Sequence, residues 1–149
     1  MAIENSAVLN EKNKLVFQRF YQEVLNQGNL DVIDEVVDPN VISHHPIPGQ
    51  PPGAAGLKEA LAGFKKAFPD LKNVAEDIIA EADKVVGRFT VTGTHQEEFI
   101  GYPPTGKQFT YEEIVIVRLH AGKIVEHWAV ADVLAMMEQL GAIEYKKNS

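Results

Sequence analysis

Near Leu71 the hydrophobic pattern changes its period, and that change bounds the folds open to this chain. Before it, apolar residues recur at helical spacing. Val16, Phe17, Phe20, Tyr21 and Val24 form one stripe, with Gly28 placed to stop the helix. Leu30, Ile33, Val36 and Val37 predict a second, short helix closed before Pro39. Leu57, Leu61, Phe64 and Phe68 lie on one face of a third, ended by Pro69. The proline-rich stretch between Val41 and Gly56 reads as loop or edge structure.

After Leu71, apolar and polar residues alternate. Val74, Ile78 and Ala80 belong to a first strand, and Ala82-Asp83 turns it. Val85, Phe89 and Val91 share a face of the next strand, with His95 in phase. From Phe109 to Leu119, Val115 and Val117 face one way and Ile114 and Ile116 the other. Both faces are apolar, so both need cover. Ala121-Gly122 turns the chain into Lys123 to Ala131, and Asp132 opens a final amphipathic helix stopped by Gly141. Helices followed by a long antiparallel sheet predict an α+β fold. The expected form is a cone-shaped, curved antiparallel sheet wrapped around the N-terminal helices, with a pocket between them. One domain spans 1–149, and the second apolar sheet face predicts a homodimer or higher homo-oligomer.

Composition narrows the functions. With 21 acidic against 14 basic residues and no basic stripe, nothing is laid out to meet phosphates, so nucleic acid is not an expected partner. The absence of cysteine excludes disulfides, thiolate nucleophiles and thiolate metal sites. No apolar run approaches a membrane span and the N-terminus has no signal-peptide core, so the expectation is a cytoplasmic protein with no membrane partner. No Gly-rich phosphate loop follows a strand, and no cofactor is expected.

Several residues have the chemistry for a site. His127 shares its strand face with Val125, Ala129 and Ala131, small neighbours that leave room for a cavity, while Glu126 and Trp128 point the other way. Glu113 shares a face with Tyr111, Val115 and Val117. A carboxyl desolvated there has its pKa raised, which suits a general acid or base. Asp132 is placed either to cap the last helix or to carry a proton. His44 and His45 are adjacent in an extended segment and point to opposite sides. No third ligand at a metal-binding spacing accompanies them, so no metal is expected. Phe99 and Tyr102, near the tip of the hairpin Tyr102-Pro103-Pro104-Thr105-Gly106, are placed to roof a pocket. Phe17 and Tyr21 on the first helix, with His95 and Tyr111 on the strands, complete the expected wall.

Taken together, FQRFYQEVLNQGNLDVIDEVV, HHPIPG, LKEALAGFKKAFPDL, GTHQEEFIGYPPTGK and GKIVEHWAVAD resemble the SnoaL-like polyketide cyclases, of the nuclear-transport-factor-like fold. The resemblance implies a cofactor-free cyclase or isomerase that uses acid/base chemistry on a small hydrophobic carbonyl compound. It also implies an aspartate just after the His-Trp pair as the acid/base, where this chain reads His127-Trp128-Ala129. A methyl group transfers no proton. Three readings therefore stand: an enzyme whose proton carriers are among His127, Glu113, Asp132 and His95, a non-catalytic small-molecule binding protein on the same fold, or a structural or interaction domain. The pocket expected for either contains Phe17, Tyr21, His44, His45, His95, Phe99, Tyr111, Trp128 and Ala129.

Overall fold

The computed structural model describes residues 5–144 and 146. Helix α1, Ser6–Arg19, opens on Asn5, whose side chain accepts the Ala7 N–H and so satisfies one of the donors a helix start leaves free. The helix then widens. Phe20–Asn26 is a π-helical turn, closed by the Gln27 N–H reaching Gln22 O at 3.0 Å. Gly28 ends it at φ +75°, a conformation glycine adopts without a Cβ penalty. The expected second helix is a 3₁₀ turn, Leu30–Val32, followed by the short α2, Ile33–Val36.

The proline-rich region is edge structure at its start. Strand β1, Val37–Ser43, carries Pro39, which an edge strand tolerates because it needs no inward N–H there. Helix α3, Gly53–Ala67, follows, and then β2 (Lys72–Glu81), β3 (Lys84–Thr94), β4 (Gln108–His120), β5 (Lys123–Ala131) and α4 (Val133–Gln139). Among the described residues the strands form one curved sheet in the order β1-β5-β4-β3-β2. Strands β2 to β5 pair antiparallel, as alternation and tight turns dictate. Strand β1 instead joins β5 in parallel, with Ser43 opposite His127. The sheet is therefore mixed and not wholly antiparallel. The sequence pattern missed this because a parallel edge is set by the long crossover through α3 and the hairpins, not by a local turn.

The inner sheet face meets the helices in an aromatic core. Phe17, Phe68, Phe89 and Phe109 are fully or almost fully buried. Tyr21 stacks on Phe89 with ring centres 4.1 Å apart, and Phe68 meets Phe109 edge-on at 5.0 Å. Gly87 makes this packing possible, since a Cβ there would strike the rings of Phe17 and Phe89. Val115 and Val117 point into the core, and Ile114 on the opposite face is 52% exposed.

Candidate active site

Between the helices and the inner sheet face lies a cavity of about 520 Å³. Its apolar wall comes from Phe20 and Leu25 of the π-helical turn, from Leu57, Leu61 and Phe64 of α3, and from Met136 of α4. Its floor is the strand pair β4–β5. Glu113 faces Ala131, Val115 faces Ala129 and Val117 faces His127 across that pair. Alanine at 129 and 131 leaves the floor hollow between the two titratable groups.

The polar groups share one environment. Glu113 is half-buried among apolar side chains and Tyr111, and burial lifts its carboxyl to about 7. His127 is held down at about 4 by the same burial, helped by the neighbouring imidazoles of His45 and His44, so it is neutral near pH 7. The Tyr21 hydroxyl lies 3.5 Å from His127 Nε2, and burial with the nearby Glu113 charge keeps that hydroxyl protonated. Tyr111 is likewise pushed up, by burial first and Glu113 second. The site thus holds a carboxyl poised between its two forms, a neutral imidazole and two phenols that stay protonated. Such a set can take a proton from carbon and donate hydrogen bonds to oxygen.

Of the residues singled out in the sequence, Tyr21, His45, Phe99, Tyr111, Glu113, His127 and Ala129 line this cavity. The others fall elsewhere. Phe17 is wholly buried in the core behind it. His44 and Trp128 lie together outside it, their rings stacked in parallel at 4.6 Å, and His44 Nε2 contacts Glu126 at 2.8 Å. Alternation puts Trp128 on the opposite face of β5 from His127. His95 sits beside a smaller cavity of about 180 Å³ near Tyr102 and Leu140, its Nδ1 3.1 Å from Thr105 Oγ1. Asp132 is exposed, and its carboxylate accepts the Ala135 N–H at the start of α4, at 3.1 Å. Among the described residues no cluster of three or more His, Asp or Glu side chains is arranged to hold a metal.

The mouth is formed by the hairpin tip. Phe99 and Tyr102 bridge to each other around Ile100-Gly101, and Ile100 reaches over the cavity. Both turn residues have positive φ, +43° for Ile100 and +82° for Gly101. A β-branched residue in that region is strained, and here it lines the cavity. Ile47 and Gln50 of the proline-rich loop form the other side of the mouth, a contribution that no spacing signal in the sequence marks.

The family model for SnoaL-like polyketide cyclases matches residues 15–140. The chain belongs to the SnoaL-like polyketide cyclase family. Its curated relatives include the aklanonic acid methyl ester cyclase DauD of Streptomyces sp. (strain C5). That protein is 28% identical over 125 residues, covering 80% of this chain and 76% of the relative. The nogalonic acid methyl ester cyclase of Streptomyces nogalater is 26% identical over 118 residues, covering 78% and 88%. Among solved structures, IdmH of Streptomyces antibioticus superposes with a TM-score of 0.74 at 33% identity, covering 87% of this chain and 98% of that one. Membership of the SnoaL-like family accounts for the helix-lined, curved sheet; the chemistry at its floor has to be read from these residues.

Proposed function

We propose that this SnoaL-like protein is a cofactor-free acid/base enzyme that closes or isomerises a small hydrophobic carbonyl compound in the 520 Å³ cavity. One observation carries the reading: the cavity contains a carboxyl, Glu113, whose burial places its pKa at about 7. A general acid/base works best with a pKa near the working pH, because both of its forms are then available.

In the proposed cycle the Glu113 carboxylate removes a proton from the carbon beside the substrate carbonyl, and the electron pair moves onto the carbonyl oxygen. The enolate carbon then attacks a second carbonyl in the same molecule. The new alkoxide recovers a proton from Glu113, so no proton is gained or lost overall. Glu113 thereby takes the part that Ala129 cannot. The alternative of a non-catalytic binder rests on Ala129 alone, and a titratable carboxyl in the same cavity removes its main ground. Asp132 has no part in this cycle, since its carboxylate caps α4 in solvent.

The test uses the esters named by two relatives. Aklanonic acid methyl ester and nogalonic acid methyl ester are incubated with the protein and ring closure is followed by chromatography. Turnover is expected with one of them, with kcat/KM rising through pH 7 as Glu113 ionises. Glu113→Gln should lower kcat by ~10²–10⁴-fold. Unchanged turnover in Glu113→Gln would remove Glu113 from the mechanism, and no turnover of either ester would remove this substrate class.

The protein is also proposed to work as a homodimer in the cytoplasm. The exposed apolar side chains of the outer sheet face support the first point. For the second, no helix among the described residues is long and apolar enough to cross a membrane.

A further inference from the structure

His45 sits where β1 leaves the sheet. The parallel ladder to β5 ends at Ser43 opposite His127, and the His44 N–H extends it by one bond to His127 O at 2.9 Å. On that edge of β5 the next donor is the N–H of Ala129. By then the chain has turned away at Pro46, and the His45 ring takes the place of a backbone carbonyl. Ala129 N–H donates to His45 Nδ1 at 3.3 Å. His45 and Ala129 are both among the residues that line the cavity.

A ring nitrogen that accepts from a backbone N–H carries no proton of its own. The neutral ring must therefore hold its proton on Nε2, which has no partner among the described residues. One bond from the sheet edge sets both the plane of the imidazole and its tautomer. The other cavity histidine is arranged differently, because His127 Nε2 faces the Tyr21 hydroxyl.

We infer that His45 is a further catalytic residue: its Nε2–H donates a hydrogen bond to the substrate carbonyl oxygen as that oxygen becomes an enolate. This rests on the reading of Glu113 as the base. In the step concerned the C–H bond breaks, its proton goes to the Glu113 carboxylate and its electron pair to the carbonyl oxygen. His45 keeps its proton throughout. A donor already oriented by the backbone needs no reorganisation when the charge appears, which is the property that makes such donors effective. The ligand chemistry of this subsite is an oxygen with partial or full negative charge attached to a planar conjugated carbon skeleton.

The experiment uses 2-naphthol, a planar aromatic whose oxygen stands in for the enolate oxygen, and reads its fluorescence on binding. Two variants separate the two ring nitrogens. His45→Asn retains an acceptor near the Nδ1 position for the Ala129 N–H and loses the Nε2 donor. His45→Gln places an amide donor near the Nε2 position and gives up the edge bond. Losing a hydrogen bond to a charged or partly charged oxygen should weaken binding by about tenfold or more in His45→Asn, with His45→Gln within about threefold of wild type.

Long-range proton–nitrogen spectra of histidine-labelled wild type should show His45 as the Nε2–H tautomer, with that proton moving downfield when 2-naphthol is added. An Nδ1–H tautomer, no binding by wild type, or equal binding by wild type and His45→Asn would each overturn the assignment. Loss of binding in His45→Gln with full binding in His45→Asn would reduce His45 to an edge cap and overturn it too. The two readings fail separately: naphthol binding that responds to His45, with no ester turned over, sinks the proposed reaction and leaves the donor site standing.

Discussion

Glu113 and His127 are moved in opposite directions by the same cause, since burial disfavours the charged form of each. Their effects on stability therefore have opposite signs. From its ordinary 4.5 up to about 7, folded Glu113 retains a proton that the unfolded chain has lost, so stability falls as pH rises through that window. From its ordinary 6.5 down to about 4, folded His127 refuses a proton that the unfolded chain binds, so stability falls as pH falls. Where the windows overlap the two slopes oppose each other. Glu113→Gln removes only the first. Denaturant titrations should show the variant more stable than wild type at pH 8 by on the order of 2 kcal/mol, with the difference shrinking towards pH 4. A variant less stable than wild type at pH 8 would mean that the carboxylate is held by partners and not merely buried.

Among the elements, the π-helical turn has the most direct bearing on the site. Its wider ring of hydrogen bonds directs Phe20, Tyr21 and Leu25 into the cavity wall. Such turns are rare and concentrate at functional sites. Its carbonyl end is closed from another element: Lys65 Nζ of α3 donates to Asn26 O at 2.9 Å, and lies 3.3 Å from Leu71 O and 3.4 Å from Leu25 O. Partial burial lowers the pKa of that ammonium, although Asp70 nearby works against the shift.

Removing the charged donor leaves those carbonyls without it, so Lys65→Met should destabilise the fold by about 1–3 kcal/mol in thermal or denaturant melts. Helix α3 is also pinned at its start. A Cβ at Gly56 would overlap the Pro51 carbonyl, which is backbone and cannot swing aside. Gly56→Ala should therefore clash with the proline-rich loop and strain the start of α3. It should cost about 1–3 kcal/mol, the usual range for overpacking, and a melt within 0.5 kcal/mol of wild type (roughly the scatter of neutral surface changes) would show that the loop yields instead.

At the scale of the whole molecule, the outer sheet face carries exposed apolar side chains. Ile42, Ile114 and Val130 are 54%, 52% and 69% exposed, and they lie on the adjacent strands β1, β4 and β5. Ile114 and Val130 are direct cross-strand partners, so their side chains form one continuous patch. Trp128 lies on the same face, covered by the His44 ring. A contiguous apolar patch on a sheet is the usual mark of an interface between subunits. Sedimentation velocity at micromolar concentration should show a species larger than the 16.5 kDa chain. Ile114→Lys, which needs no change inside the core, should shift it to the monomer. A wild type that sediments as a monomer would end the proposal.

The alternating period after Leu71, the turns at Ala82-Asp83 and Ala121-Gly122, and the stops at Gly28 and Pro69 are local signals, each acting within a few residues, and they determined the helices, the hairpins and the inward faces of β3 to β5. That Glu113 and His127 share a strand face with apolar residues follows from the same alternation. Only the tertiary structure decided which of His44 and His45 meets the cavity, because the answer depends on the parallel docking of β1 against β5. It also decided that Asp132 is occupied as a cap and that His95 belongs to a separate hollow. A side chain's period along its own strand says which face it takes; which cavity that face encloses depends on elements far apart in the chain. The pKa values at the floor belong to the same class of fact, since it is burial in the folded molecule that moves Glu113 up and His127 down, with His45 and His44 lowering His127 further.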